Sequence, residues 1–449
     1  MRLRRLTLGL RLTLLCAMLC APLTASAAEN KAERVASDYA AREIAVTPPH
    51  TNLPDYALPP SALAKARRLS LLRDELHFGG EAWGLLNLIL LLSLGGIARM
   101  RDRALAFNKS RWLQAYAFLL FLLLARIALS LPLSLYGHHL GLVYGLSVQR
   151  WPSWFADLAK GFAIEWLLGG ALLMLLFWII RRLPRTWWLA FWAALVPIVL
   201  AAVAFAPIVL DPLYNRFEPL ALHHSDLVQQ LEHMGVPRSR QYLMLASAKV
   251  TTPNAYVTGL GPTSRIVVWD TSLTPGKPPS PEILWIVGHE CGHYALHHVL
   301  TGTLLTLAGL LPLFYLGFGL LHLLLARFGT RWRIANQADW GTAAVLLLAF
   351  SLVSALTEPI DNTISRHIEH QADIYGQEAI HGLVPDPQTA VLRANDTDGL
   401  RALEDPRPTA FEEFWLYNHP ATGRRAAFGK AYDPWAPGME PKYFKARER

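Results

Sequence analysis

Gly288-His289-Glu290-Cys291-Gly292-His293 lies inside an apolar run, Ile283 to Leu300, and reads H-E-x-x-H. On an α-helix, residues four apart share a face one turn from each other, so both imidazoles can point at a single zinc ion. Glu290 then lies beside the metal without binding it. A carboxylate in that place can take a proton from a water acidified by the metal and pass it to a leaving amine. Peptide hydrolysis is the natural reading. The pattern fixes only three positions in a chain of 449 residues, and many helical histidine pairs merely cap or pack. A third protein ligand therefore decides the matter, because catalytic zinc keeps three protein ligands and one open position.

The sequence offers that ligand at Glu369, within the polar helical stretch Ser365-Arg366-His367-Ile368-Glu369-His370-Gln371-Ala372-Asp373. Glu369 and Asp373 are again four apart. One carboxylate can ligate while the other accepts a hydrogen bond from the free ring nitrogen of a ligating histidine, which fixes its tautomer and orientation.

Composition points to a membrane: 53% of the residues are hydrophobic and 17% charged, over a length that would make two or three soluble domains. The apolar residues cluster near 82–98, 112–133, 159–180, 187–210, 300–326 and 340–357, each long enough, or nearly so, to cross a hydrocarbon core. We read six mature spans. The first is short and carries Gly84, Gly95 and Gly96; Pro197 and Pro207 interrupt the fourth, which membrane helices tolerate. At the N-terminus, Arg2, Arg4, Arg5 and Arg11 precede an apolar run from Leu12 to Leu23 and the small-residue site Ala25-Ser26-Ala27. That pattern is a secretory signal, with an uncleaved first helix as the other reading. Cys16 and Cys20 fall in this segment, leaving Cys291 as the one mature cysteine and no intrachain disulfide. The expected divisions are a signal at 1–27, an extracytoplasmic segment 28–81, four spans in 82–210, a catalytic unit 211–299, two spans in 300–357, and the rest of the catalytic unit with a tail in 358–449.

Short cytoplasmic loops are enriched in Lys and Arg. Three short connections are basic: Arg99, Arg101, Arg103, Lys109 and Arg111; Arg181, Arg182 and Arg185; Arg327, Arg331 and Arg333. Six spans place these on one side, and put the connection Ser134–Leu158, with only Arg150, on the other with 28–81 and 211–299. The metal motif then faces the periplasm or exterior of a bacterial inner membrane. Two spans separate His293 from Glu369, an even number, so the chain returns to the side it left and Glu369 can meet the histidines. The formal net charge of +8 is mostly these loops and the tail Lys442–Arg449. No basic stripe interleaves with aromatics, so the charge reads as membrane orientation and nucleic acid is not an expected partner.

Between the fourth span and the motif, Asp226 to Met234 reads as a helix ending at Gly235 and Pro237. Gln241–Ala246 and Arg265–Trp269 read as strands of a small sheet around the turn-rich stretch from Thr251 to Pro262. Asn254, Ala255, Tyr256 and Val257 form either an exposed edge strand that holds an extended peptide through backbone hydrogen bonds or an ordinary hairpin. Downstream, Tyr417-Asn418-His419-Pro420 and Arg425 make a last polar cluster. His419 can donate to the oxyanion that forms as water attacks the scissile carbonyl, although a histidine before a proline is ordinarily a loop residue. His297, His298, His367 and His370 read as rim or packing residues, and Pro385 to Pro408 as loop without chemistry.

The joint pattern resembles the CAAX prenyl protease class of integral-membrane zinc metallopeptidases, often grouped with the heat-shock membrane protease of bacteria. The resemblance rests on Asp211-Pro-Leu-Tyr-Asn-Arg-Phe217 leading to Pro219-Leu220, Asn254-Ala-Tyr256, Arg265-Ile-Val-Val-Trp-Asp270, Gly288 to His293, Ser365-Arg366 with Glu369 and Ala372-Asp373, and Asn418-His-Pro420 with Arg425. Tyr56 to Leu72 looks like that class's N-terminal region, so about residues 55–430 are covered. The resemblance implies a mainly α fold: polytopic membrane helices enclosing a chamber, with a gluzincin-type α+β catalytic unit outside the membrane. One zinc per chain would be held by His289, His293 and Glu369, with Glu290 as base. Asn254, with Ala255 and Tyr256, looks like the substrate-strand asparagine, His419 like the transition-state histidine, Asp373 like the acid behind the zinc ligands, and Arg425 like a supporting residue beside it. Members acting on prenylated substrates present this unit to the cytosol, whereas the charge pattern puts it outside; turnover of misfolded or membrane-associated envelope proteins by a monomeric protease is then the better expectation. Cys291 fills a position often taken by a larger apolar residue, which suggests a thiol-sensitive site. A non-proteolytic membrane protein with a structural zinc is the competing class. The Pro-rich polar turn Thr274–Pro281 before the motif argues against cleavage at mid-membrane.

Overall fold

The structure, a computed structural model, describes residues 58–444. The signal segment, its cleavage site, Cys16, Cys20 and Tyr56 lie outside the described residues. Helix α1 (Pro60–Ser93) starts with proline at its first position, where a missing N–H costs nothing, and ends at Gly95, whose φ of 72° only glycine adopts freely. The expected first span at 82–98 is thus displaced. Residues 60–81 are rich in Ala, Leu and Arg, good helix formers that extend the helix while the charged residues hold hydropathy down, and Ile97 and Ala98 belong to α2 (Gly96–Phe107). Then come α3 (Arg111–Val143), α4 (Trp151–Arg182), α5 (Trp187–Val209) and the short α6 (Asp211–Tyr214).

The chain next forms β1 (Phe217–Pro219), α7 (Ser225–His233), β2 (Gln241–Met244), β3 (Ala255–Thr258) and β4 (Arg265–Trp269). It continues through α8 (Pro281–Ala295), α9 (His298–Trp332), α10 (Thr342–Ala379), α11 (Pro387–Arg401), α12 (Ala410–Leu416) and α13 (Thr422–Ala431). Among the described residues six helices, α1, α3, α4, α5, α9 and α10, are long and apolar enough to cross a membrane. The stretch from Pro385, expected to be loop, contains α11, started by Pro387 and capped by Asp386, whose carboxylate accepts from the Gln388 and Thr389 amides. Polar composition hid a helix that buries Val391 and Ala394 on one side.

The bundle core gathers Phe118, Phe177, Trp187, Leu321 and Val345, while Leu124, Trp178, Phe205 and Leu304 are exposed. The three basic connections meet at one end. Arg101 pairs with Asp339 at 2.8 Å and donates to the Arg333 carbonyl, Gln337 donates to the Pro184 carbonyl, and the Arg181 guanidinium lies 4.7 Å from the centre of the Trp340 ring. The α3–α4 connection instead meets the sheet region: Val148 N donates to Lys249 O at 2.9 Å, and Lys249 Nζ pairs with Asp157 at 2.6 Å. The basic connections and the α3–α4 connection therefore pack against different parts of the molecule, as an odd number of spans between them demands.

The sheet runs β1-β2-β4-β3, with β2 and β4 parallel and the other pairs antiparallel. Side chains alternate along β4: Ile266 and Val268 pack with Leu284, Trp285 and Val287 of α8, and Val267 packs with Met244 and Tyr256 on the other face. Full burial of each such aliphatic residue contributes about 1.5–3 kcal/mol. β3 lies at the edge of this sheet and pairs antiparallel with β4. The rest of the core under α8 comes from α10 and α11, through Tyr375, Ala379, Ile380, Ala390 and Val391.

Candidate active site

Two helices make the site by approaching backbone to backbone. A Cβ on Gly376 of α10 would stand 2.7 Å from the His289 amide nitrogen, and one on Gly292 of α8 would stand 2.9 Å from Tyr375 Cβ. With Gly288 also against Gly376, glycine on both helices lets α8 and α10 pack closely. That contact brings the pair on α8 against the carboxylates on α10. His289, His293 and Glu369 each offer a ligand atom, all within 4.8 Å of one another.

The arrangement fits a metal ion. His289 Nε2 and His293 Nε2 face each other at 3.1 Å, while both Nδ1 atoms are engaged elsewhere, so each Nε2 can offer a lone pair to a metal once it is free of its proton. Glu369 stands 3.2 Å from His289 and 3.5 Å from His293, and its buried Oε2 makes no hydrogen bond of acceptable geometry. Burial works against a charged His289, but the Asp373 and Glu369 carboxylates outweigh it and push the pKa up to about 10. The field in this pocket favours a cation.

Asp373, one turn beyond Glu369, accepts from His289 Nδ1 at 2.8 Å. Its charge is balanced by Arg425 of α13, which donates through Nη2 at 2.6 Å to Oδ1 and through Nε at 3.0 Å to Oδ2. The guanidinium also lies 5.0 Å from the centre of the Trp285 ring, one turn before His289 on α8. Glu290 lies 4.0 Å from His289 Nε2; burial raises its carboxyl and the neighbouring His293 and His289 pull it back down. His419 reaches in from the opposite side, with Nε2 3.1 Å from Glu369 Oε2 and Nδ1 2.8 Å from Asn418 Oδ1.

What holds His419 there was not read from the sequence. Arg366 donates to the carbonyls of Glu413 at 2.7 Å and Tyr417 at 2.5 Å, and Asn362 donates to the Trp415 carbonyl. Both project from α10 ahead of Glu369, so one helix carries the third candidate ligand and suspends the segment bearing His419. Buried Glu413 closes the loop by accepting from the Ala421 amide and pairing with Arg424. The sequence signal was an arginine and an asparagine at helical spacing before Glu369; their carbonyl partners lie about 50 residues away, visible only once the chain folds.

Asn254 is exposed at the start of β3, its amide donating to Ser272 Oγ and its carbonyl accepting from Trp269 N. Ala255 is buried against α8, and Tyr256 packs on the far face of the sheet, its hydroxyl pushed up to about 12 by burial. One expectation changes. Cys291 is fully buried in the α8 core and burial pushes its thiol up, so no reactive thiolate borders the site. His298, read as a rim or packing residue, is a packing one, buried against His293.

The comparisons agree with this geometry. A family profile described as CAAX prenyl protease N-terminal, five membrane helices, matches residues 46–216, and one described as Peptidase family M48 matches residues 222–431. The Uncharacterized metalloprotease YhfN of Bacillus subtilis is 32% identical over 372 residues, 82% of this chain and 85% of its own. CAAX prenyl protease 1 of Saccharomyces cerevisiae is 29% identical over 194 residues, 41% of this chain and 42% of its own. The crystal structure of S. mikatae Ste24p shares the fold with a TM-score of 0.70 at 19% identity, over 89% of this chain and 98% of that one. Such a family implies a metal, and His289, His293 and Glu369 form a suitable donor set. With most of its length matched by a relative of this identity, the chain belongs to peptidase family M48 and is a multi-pass membrane metallopeptidase.

Proposed function

We propose that the chain is a zinc endopeptidase of a bacterial inner membrane, with its catalytic unit on the periplasmic or exterior face, acting as a monomer on membrane-associated or misfolded envelope proteins. The observation that carries this reading is the convergence of His289 Nε2, His293 Nε2 and Glu369 beside the free carboxylate of Glu290. Zinc suits two imidazoles and one carboxylate, and when bound it acidifies a water and polarises a carbonyl. Glu290, whose carboxyl is raised by burial, takes the proton and passes it to the leaving amine. His419 donates to the developing oxyanion. Asp373 and Arg425 fix His289, and the edge strand β3 beginning after Asn254 holds substrate backbone.

Several relatives carry the name CAAX prenyl protease 1, so cleavage of a prenylated peptide is the second reading. Both are tested on detergent-purified protein with a quenched unstructured peptide and a farnesylated one, zinc being quantified in parallel. Glu290→Gln is expected to lower turnover by about 10²–10⁴-fold with roughly one zinc per chain retained. Full activity in that variant sinks the proposed base, and turnover of the farnesylated peptide alone moves the assignment to lipidated substrates.

A further inference from the structure

His289 and His293 are fixed by different chemistries. His289 Nδ1 meets a carboxylate; His293 Nδ1 lies 3.0 Å from Nδ1 of another histidine, His298. Resting on the metal centre proposed above, we infer that His298, set by Gln371, is the positioning residue that fixes the tautomer and orientation of the ligand His293.

The hydrogen-bond roles follow from what each atom can do. His298 Nε2 stands 3.2 Å from Gln371 Oε1, which only accepts, so His298 Nε2 donates and its Nδ1 is a bare acceptor. His293 Nδ1 must then carry the proton, which frees Nε2 toward His289 and Glu369. The Gln371 amide nitrogen in turn lies 3.0 Å from His367 Nε2, which can accept from it. These roles set a donor against an acceptor at every contact of the chain. His298 is 6% exposed, so water does not compete for these bonds.

The backbone is shaped to make this contact. In an unbroken helix a residue five positions on would stand about 140° around the axis from His293, facing away. The chain leaves α8 at Ala295, takes a left-handed conformation at His297 with φ 55° and ψ 36°, and begins α9 at His298. A non-glycine residue rarely adopts that conformation. Here it turns His298 back onto the site it would otherwise miss.

The two supports also differ in charge. Asp373 is an anion balanced by Arg425, whereas the relay through His298 and Gln371 is neutral. Glu369 is then the one anionic ligand, and the ion keeps a net positive charge with which to polarise substrate.

The test is metal affinity by chelator competition, with the visible absorption spectrum of the cobalt-substituted protein, on the full chain in detergent. His298→Phe should weaken binding by about 10–100-fold and shift the cobalt spectrum. Gln371→Leu should lose less, and the double variant should be no worse than His298→Phe, because both cut one chain. His298→Asn, whose amide oxygen can take the place of the accepting Nδ1, should bind within about threefold of wild type. Wild-type affinity and spectrum in His298→Phe overturn the inference, as do losses that add. If His298→Phe does not fold, half-buried Gln371→Leu carries the same test, and an unchanged spectrum and affinity there overturn it. Metal retained by Glu369→Ala overturns the metal centre and the relay with it; metal lost there but unmoved by His298→Phe overturns the relay alone.

Discussion

His289 holds the site together from both ring nitrogens, with Asp373 on one and Glu369 and His293 facing the other. Its raised pKa has a measurable sign. Below about 10 the metal-free ring keeps its proton, so an ion must expel that proton, and apparent zinc affinity should climb with pH by about tenfold per unit for each proton released. Chelator competition at pH 6, 7 and 8 checks this; a flat profile would show that His289 is already neutral. At this scale the sequence was informative where chemistry has a spacing. H-E-x-x-H, Glu369 with Asp373, and the His419 and Arg425 cluster were all read from it, and the fold brings them within reach of one another. Residues whose partners are backbone carbonyls or ring faces were not legible. The partners of Arg366 and Trp285 could not be read locally, since their roles depend on contacts made only after folding.

The decisive element pair is α8 with α10. No side chain stands between them at Gly288, Gly292 and Gly376, and the separation of the two helices sets the distance from histidine to carboxylate. Gly376→Ala places a methyl 2.7 Å from the His289 amide, against backbone that cannot yield like a flexible side chain. Overpacking of this kind costs about 1–3 kcal/mol and forces the helices apart. The expected result is loss of bound metal and of peptidase activity with helix content by circular dichroism unchanged; normal metal content would show that the contact is not needed. Apolar periodicity announced the spans but misjudged their ends, because α1 begins and α10 continues in polar sequence where helix propensity, not hydropathy, keeps the backbone regular. The same bias hid α11.

At the scale of the molecule, the basic connections gather at one end through Arg101, Arg181 and Gln337, and the α3–α4 connection is tied to the sheet region through Lys249. The proposed orientation in the cell rests on the positive-inside rule. A cysteine introduced at exposed Lys277, before α8, should react with an impermeant maleimide added to intact spheroplasts; labelling only after permeabilisation would reverse the orientation. The expected boundary at residue 357 between span and catalytic unit does not exist as a break in structure. α10 runs from Thr342 to Ala379 without interruption, apolar at its start and bearing Glu369 and Asp373 near its end. One helix, with Pro359 inside it, therefore joins the apolar stretch to the candidate ligand. A helix in a bilayer thinner or thicker than its apolar stretch tilts to compensate, and a tilt of α10 is carried past Pro359 about 18 Å along the axis from residue 357 to Glu369 at 1.5 Å per residue. The protein should thus sense the thickness of its own membrane: reconstituted into lipids of graded acyl-chain length, its turnover should peak at one thickness and fall on either side, whereas a water-soluble metallopeptidase is indifferent to the series.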